Sequence, residues 1–316
     1  MKRYKEFVLK AEKGIAFEVS DVTRQKVNYQ SSEPQHTCSE NYANPPIPEG
    51  YKHICGEWNN GFVIERGSDG SQFVWIPVGS LDSNGTLDGE HFSEKFGRRN
   101  YMNNEFSDNE YNEALNGELL EQIESVKKYG GFYISRYNIS RNENGEPQLV
   151  KGVMPLNHTQ FKEARMFAAI IEDNEVVKSH LTFGAEYDSV LEWFIKTGVR
   201  TRYEIVIDSS KWGNYDTEED FYEKSILARI LLTIRGMPKI YAVITGSREE
   251  WCTNSIYDFA GNVSEWTQEK KGSFCGVIRG GDFSCNVGKK PVAYRTSYGM
   301  FSNFDCTGFR ATLWIK

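Results

Sequence analysis

Six cysteines, Cys38, Cys55, Cys252, Cys275, Cys285 and Cys306, carry the most reactive groups in the chain, and no two form a C-x-x-C pair. That spacing excludes ribbon or finger zinc sites and thioredoxin-type exchange. A disulfide can be drawn among Cys275, Cys285 and Cys306. In a chain made in a reducing compartment they read instead as thiols packed as small hydrophobes. No serine-centred elbow, Walker loop or dinucleotide fingerprint is present. The remaining chemistry on offer is recognition. The stretch Tyr294-Arg-Thr-Ser-Tyr-Gly-Met-Phe-Ser-Asn-Phe-Asp305 mixes aromatic rings with Ser, Thr and Asn. Paratopes have this composition, with rigid rings for area and small polar groups for adaptable hydrogen bonds. Burying one ring face of ~100 Å² contributes ~2–3 kcal/mol before the costs of association. Strand alternation does not sort these aromatics to one side, which favours a surface over a core strand. For Tyr294, Tyr298 or Phe301 taken singly, the core reading stays open.

The bulk numbers narrow the partners. The chain has 316 residues, 39% hydrophobic and 14% aromatic, enough to bury a sizeable core. Its net charge of -7 argues against nucleic acid, which needs a basic face to displace counterions. Charges at Lys5, Glu6, Lys10, Glu12 and Lys13 interrupt any signal-peptide core. No window of about 18 apolar residues exists, so membrane insertion is not expected. The expectation is synthesis in a cytoplasm.

Recognition loops need a scaffold. Residues 1–30 hold two short strand-like runs, Phe7-Val-Leu9 and Ile15-Ala-Phe-Glu-Val19, and read as an arm for attachment or oligomerisation. Residues 31–48, rich in Pro, Ser, Asn and Glu, read as a linker, leaving 49–316 as the main domain. Gly61-Phe-Val-Ile-Glu65 and Gln72-Phe-Val-Trp-Ile-Pro77 flank a glycine-bearing turn and predict a hairpin. A helix is expected over 112–128, and a strand over Gly131-Phe-Tyr-Ile-Ser-Arg-Tyr137. Asn157, three before Gln160, predicts a capping box ahead of Phe161, Ala164, Ala168 and Ile171. A second helix carries Tyr187, Val190, Leu191, Phe194 and Ile195 as a buried stripe. Beyond residue 200 the chain is irregular, rich in Gly, Asn, Trp and Tyr. The fold class expected is α+β, with few helices, short strands and long irregular loops.

From about residue 130 the motif order resembles the formylglycine-generating-enzyme (sulfatase-modifying-factor) family. The matching pieces are Gly131 to Tyr137, Met154-Pro-Leu-Asn-His-Thr-Gln-Phe-Lys-Glu-Ala164 and His180-Leu-Thr-Phe-Gly-Ala-Glu-Tyr187, then Trp212-Gly-Asn214. Ile256-Tyr-Asp-Phe-Ala-Gly-Asn-Val-Ser-Glu-Trp-Thr267, Arg279-Gly-Gly-Asp-Phe283 and Gly308-Phe-Arg310 complete the set. The resemblance covers roughly 190 residues and implies a C-type-lectin-like fold. Its physics stands without the name. Gly280-Gly281 permits positive φ or close approach beside an inward Phe283. Arg279 and Arg310 read as structural glue.

The resemblance fails at the catalytic residues. The family's oxidase holds copper through two cysteines five residues apart; here Cys285 is followed five later by Lys290. The family's iron-dependent sulfoxide-synthase branch needs an upstream helical histidine cluster. His36, His53, His91, His158 and His180 lack that spacing. One metal site survives: the resemblance implies a structural calcium held by the carboxylates of Asp258 and Glu265 and the carbonyls of Gly261 and Val263. The competing reading has Glu265 accepting backbone N–H groups with no ion. No cofactor is otherwise required.

A lectin-like fold without the catalytic pair also resembles variable proteins of diversity-generating retroelements and receptor-binding proteins of bacteriophages and prophages. The expected function is then non-catalytic binding of a bacterial surface protein or glycan through loops 282–307. The residues expected to carry it are Ser284, Asn286, Tyr294, Thr296, Ser297 and Tyr298, followed by Met300, Phe301, Asn303, Phe304 and Asp305. Release in a virion would suit the missing signal peptide, with the arm contacting other virion proteins. The alternative is a family-like cytoplasmic enzyme with altered chemistry, which predicts a deep pocket near Cys285 and Asp282. A third reading is a purely structural virion component.

Overall fold

The computed structural model describes residues 17–18, 45–78, 95–96, 101, 112–113, 117–215, 241–285 and 290–316. The expected strand at 7–9, most of the arm and linker, and Asn286 lie outside the described residues.

The chain is α+β, with short strands joined by long irregular loops. Its strands are β1 (Phe17–Glu18), β2 (Tyr51–Cys55), β3 (Val63–Arg66), β4 (Gln72–Pro77), β5 (Lys95–Phe96), β6 (Asn112–Glu113), β7 (Gly131–Ser135), β8 (Ser140–Arg141) and β9 (Pro147–Gln148). They continue with β10 (Val177–Leu181), β11 (Cys252–Thr253), β12 (Ile256–Tyr257), β13 (Ser264–Lys271), β14 (Cys275–Arg279), β15 (Arg295–Gly299), β16 (Thr307–Phe309) and β17 (Ala311–Ile315). The described helices are α1 (Gly117–Tyr129), α2 (Phe161–Ala169), α3 (Gly184–Lys196) and the short α4 (Arg202–Val206).

Two sheets organise the molecule. The larger runs β10-β17-β7-β4-β3-β2, antiparallel throughout. The expected hairpin supplies its β3–β4 pair, and β7 fills its centre with five buried residues. The smaller sheet runs β15-β14-β13-β16, with β13 and β16 parallel and β6 paired to the far end of β13. The chain thus returns at its end to close both sheets, because β16 and β17 follow each other across the buried Arg310.

The stripe on α3 packs as its period requires. Tyr187, Val190, Leu191 and Phe194 are buried, and Ile195 packs against the same cluster. Two expectations are corrected. The helix placed at 112–128 starts at Gly117, and Asn112–Glu113 is a strand paired with Glu269 and Lys270 of β13. Tertiary pairing overrides a weak helical preference there. Nor is Asn157 part of a capping box with Gln160. Gln160 is itself the N-cap of α2, and its N–H donates to the Glu163 carboxylate at 2.9 Å. Asn157 does other work, described next.

Candidate functional site

The smaller sheet is built around buried charge. Arg279 on β14 donates through Nε to Glu269 Oε1 of β13 at 2.6 Å and through Nη2 to Asp188 Oδ1 of α3 at 3.0 Å. Arg295 on β15 lies 3.7 Å from the other Glu269 oxygen, and all four side chains are buried. Helix, hairpin and edge strand are thereby joined through two carboxylates that meet at Arg279. The two glycines after Arg279 have φ of +95° and +68°, and a Cβ on Gly281 would sit 2.3 Å from the Lys290 carbonyl oxygen. Only glycine fits that approach.

This frame ends in an exposed aromatic tip. The β14–β15 register pairs Cys275 with Gly299, so Phe274 and Phe301 emerge just beyond the same end of the hairpin. Met300 N–H donates to the Phe274 carbonyl at 3.0 Å, which locks the two turns together. Phe274 is 82% exposed and Phe301 81%, the two highest values among the described large hydrophobic residues. Beside them the Tyr298 and Phe304 rings meet edge to face at 4.8 Å, both half-buried.

The loop after β15 is held from below. Asn157 Nδ2 donates to the Asp305 carbonyl at 2.6 Å, His158 N–H to the Phe304 carbonyl and Ser264 N–H to the Cys306 carbonyl. Such bracing presents side chains without ordering cost on binding. Asn303 and Asp305 are exposed there, and Thr296, Ser297 and Met300 are half-buried. The structure therefore brings together Thr296, Ser297, Tyr298, Met300, Phe301, Asn303, Phe304 and Asp305. Ser284 is exposed but turns to Asp282, its hydroxyl donating to Oδ1 at 2.5 Å. Tyr294 is half-buried with the Lys290 ammonium 5.8 Å from its ring centroid. Phe274 was not legible as a site residue, because only the register of β14 on β15 places it beside Phe301.

Near Cys285, the described residues Asp282, Lys290, Ser264 and Thr296 line a crevice with no room for a water molecule. The Cys285 thiol donates to Asp282 Oδ2 at 2.9 Å, and burial together with that carboxylate pushes its pKa up to about 11. At neutral pH it is a thiol, the unreactive form. Burial, helped by the Asp282 charge, pushes Cys306 up to about 12. The five described cysteines are all free thiols.

The loop expected to hold calcium is shaped by left-handed backbone at Asp258, Gly261 and Asn262, with φ of 53°, 69° and 59°. The Trp212-Gly-Asn214 motif packs on it, Asn214 accepting from Asn262 N–H at 2.9 Å. Glu265 Oε1 accepts from Arg310 Nε at 2.6 Å and Asn138 Nδ2 at 2.7 Å, and among the described residues no backbone N–H donates to it. Arg310 also donates to the carbonyls of Ser135 and Tyr257, so it braces three segments at once. Asp258 Oδ2 accepts from Thr245 and Gly246. Burial raises both carboxyl pKa values, and Arg310 opposes the rise. Asp258 Oδ1 and Glu265 Oε2 are buried with no hydrogen-bond donor. Orphaned hard oxygens of this kind are the donor type that calcium takes.

No protein-family model matches the chain, and no curated relative does. Among solved structures, CarF is similar at 14% identity, over 59% of this chain and 87% of that chain, with a TM-score of 0.41. PvdO from Pseudomonas aeruginosa is similar at 13% identity, over 78% and 95%, with a TM-score of 0.43. Treponema denticola variable protein 1 is similar at 10% identity, over 76% and 95%, with a TM-score of 0.40. Likenesses at this level carry no argument about function.

The state of Cys285 can be checked by alkylation. At pH 7.5 maleimide should modify the exposed Cys55 first and spare Cys285. Asp282→Asn should speed modification of Cys285 severalfold, because the Asp282 charge and hydrogen bond add to burial in holding the thiol protonated. Equal rates for Cys285 before and after the change would contradict the assignment.

Proposed function

We propose that this protein is a non-catalytic binder with a C-type-lectin-like fold, and that its ligand seats on the aromatic tip of the smaller sheet. The observation that carries this reading is the pair Phe274 and Phe301, both over four-fifths exposed at one braced hairpin end. Exposing two large rings together is costly in water and is a mark of interaction sites. Tyr298, Phe304, Asn303 and Asp305 around them supply the mixed aromatic and polar rim that adaptable recognition uses. The implied partner is a bacterial surface protein or glycan, as for the variable and phage-borne proteins that the motif order resembles. The N-terminal arm would join the chain to a larger assembly such as a virion.

The alternative, an enzyme with altered chemistry, draws less support. It calls for a deep pocket at Cys285 and Asp282; among the described residues the crevice at Asp282 has no room for a water molecule, and burial with the Asp282 charge keeps the Cys285 thiol protonated.

Calcium belongs to the same proposal as a structural ion. Asp258 and Glu265 would hold it through their unpartnered oxygens, with the Gly261 and Val263 carbonyls, and it would neutralise charge beside Arg310. It supplies no step of chemistry. Millimolar Ca²⁺ should raise the thermal midpoint of the intact protein by several degrees over its value in chelator, and Asp258→Asn should shrink that gap. An unchanged midpoint would mean that Arg310 alone balances the two carboxylates.

The binding reading is tested with labelled intact protein on a panel of Gram-positive cells. Phe274→Ala and Phe301→Ala should each weaken binding on the order of tenfold, as expected of an anchor ring. Both should leave the thermal midpoint within about a degree, since neither ring packs in the core. Full binding by the double variant would remove the tip from the function.

A further inference from the structure

Among the described residues, His158, Asn254, Ser255, Asp258 and Asn262 hold left-handed backbone without being glycine. That conformation strains a residue with a Cβ, and it persists where the surroundings or a function call for that side chain. Three of these residues are explained by bonds inside the fold. Asn254 donates to Thr197 Oγ1, Asp258 accepts from Thr245 and Gly246, and Asn262 accepts from the Val243 N–H. Ser255 is half-buried against Gly61, where a Cβ would lie 2.7 Å from its hydroxyl. His158 differs. Its φ is 52°, it is exposed, and its imidazole has no hydrogen bond or ion pair among the described residues.

The main chain at this position has a task. His158 N–H donates to the Phe304 carbonyl at 3.0 Å, and Asn157 beside it holds the Asp305 carbonyl. Glycine could perform that task without strain, as Gly280 and Gly281 do after Arg279 with φ of +95° and +68°. The fold itself makes no use of the imidazole. His158 is bonded to the loop that carries Asn303, Phe304 and Asp305, and the Phe304 ring in turn meets Tyr298 at 4.8 Å.

We infer that His158 belongs to the binding surface and contacts the ligand through its imidazole. The inference rests on the proposed binding reading and adds a residue from the entry of α2, outside loops 282–307. Phe274 and Phe301 offer apolar area only, whereas an imidazole both donates and accepts hydrogen bonds. With the exposed Asn303 and Asp305 it supplies the polar half of the surface. That half selects a partner with hydrogen-bonding groups beside its apolar part, since a partner lacking them leaves polar groups unpaired.

The test is His158→Gly in the intact protein, read with the same labelled-cell assay. Glycine keeps the left-handed backbone and the N–H that braces Phe304, and removes only the imidazole. Binding should weaken at least about fivefold, with a thermal midpoint at or above that of the wild type. Amide exchange over 300–307 should not change. His158→Asn, which also tolerates this φ and keeps a hydrogen-bonding side chain, should retain more binding than the glycine variant. Full binding by His158→Gly, while Phe301→Ala still weakens it, overturns the inference and leaves the tip as the site. Weaker binding with faster exchange over 300–307 also overturns it, since His158 then acts through its brace alone. Binding indifferent to His158→Gly, Phe274→Ala and Phe301→Ala, or binding to none of the cells, overturns both readings.

Discussion

The burial of Arg279 is the constraint on which the smaller sheet depends. A guanidinium removed from water must be matched by carboxylates in good geometry, and removing one partner of such a pair costs on the order of 3–5 kcal/mol. Here the partners come from different elements. Asp188 is on α3, Glu269 on β13, and Arg295 on β15 stands against the second Glu269 oxygen. The fit around Glu269 is tight enough that a Cβ on Gly184, the first residue of α3, would lie 2.4 Å from its carboxyl carbon. The helix, the hairpin and the edge strand therefore have one mutual position. A second buried guanidinium, Arg310, performs the same service where the two sheets meet.

What this rigidity achieves is display. The tip beyond β14 and β15 carries its rings on two turns that hydrogen-bond to each other, and the following loop is tied to the entry of α2 through Asn157 and His158. A surface fixed in advance loses little conformational entropy when a ligand arrives.

Much of the scaffold was legible because its signals are local. The stripe on α3, the β3–β4 hairpin and the glycines after Arg279 each follow from spacing or from φ that only glycine adopts readily. The structural roles of Arg279 and Arg310 were also legible, although their partners Asp188, Glu269 and Glu265 were not. Asp188 and Glu265 lie 91 and 45 residues from their arginines, and Glu269, ten residues before Arg279, meets it only through the β13–β14 pairing. Register likewise hid Phe274, which stands 27 residues before Phe301 in the chain. Asn157 misled for a different reason. Asparagine near a helix entry suggests a cap, but its amide reached a loop carbonyl 148 residues away. Within the stretch 294–305, sequence could not separate the exposed Phe301 from the half-buried Tyr298 and Phe304, since all three are aromatic residues in a polar context.

The buried charge network holds the aromatic end of the smaller sheet in place. Amide hydrogen exchange in the wild-type protein and in Arg279→Met addresses it most directly. The account predicts slow exchange at the paired amides of β14 and β15 in the wild type. In the variant, protection should fall at least about tenfold there and in the turns at 272–274 and 300–302, while β4, β7 and β17 keep theirs. Unchanged protection of β14 and β15, or a uniform loss across both sheets, would contradict it.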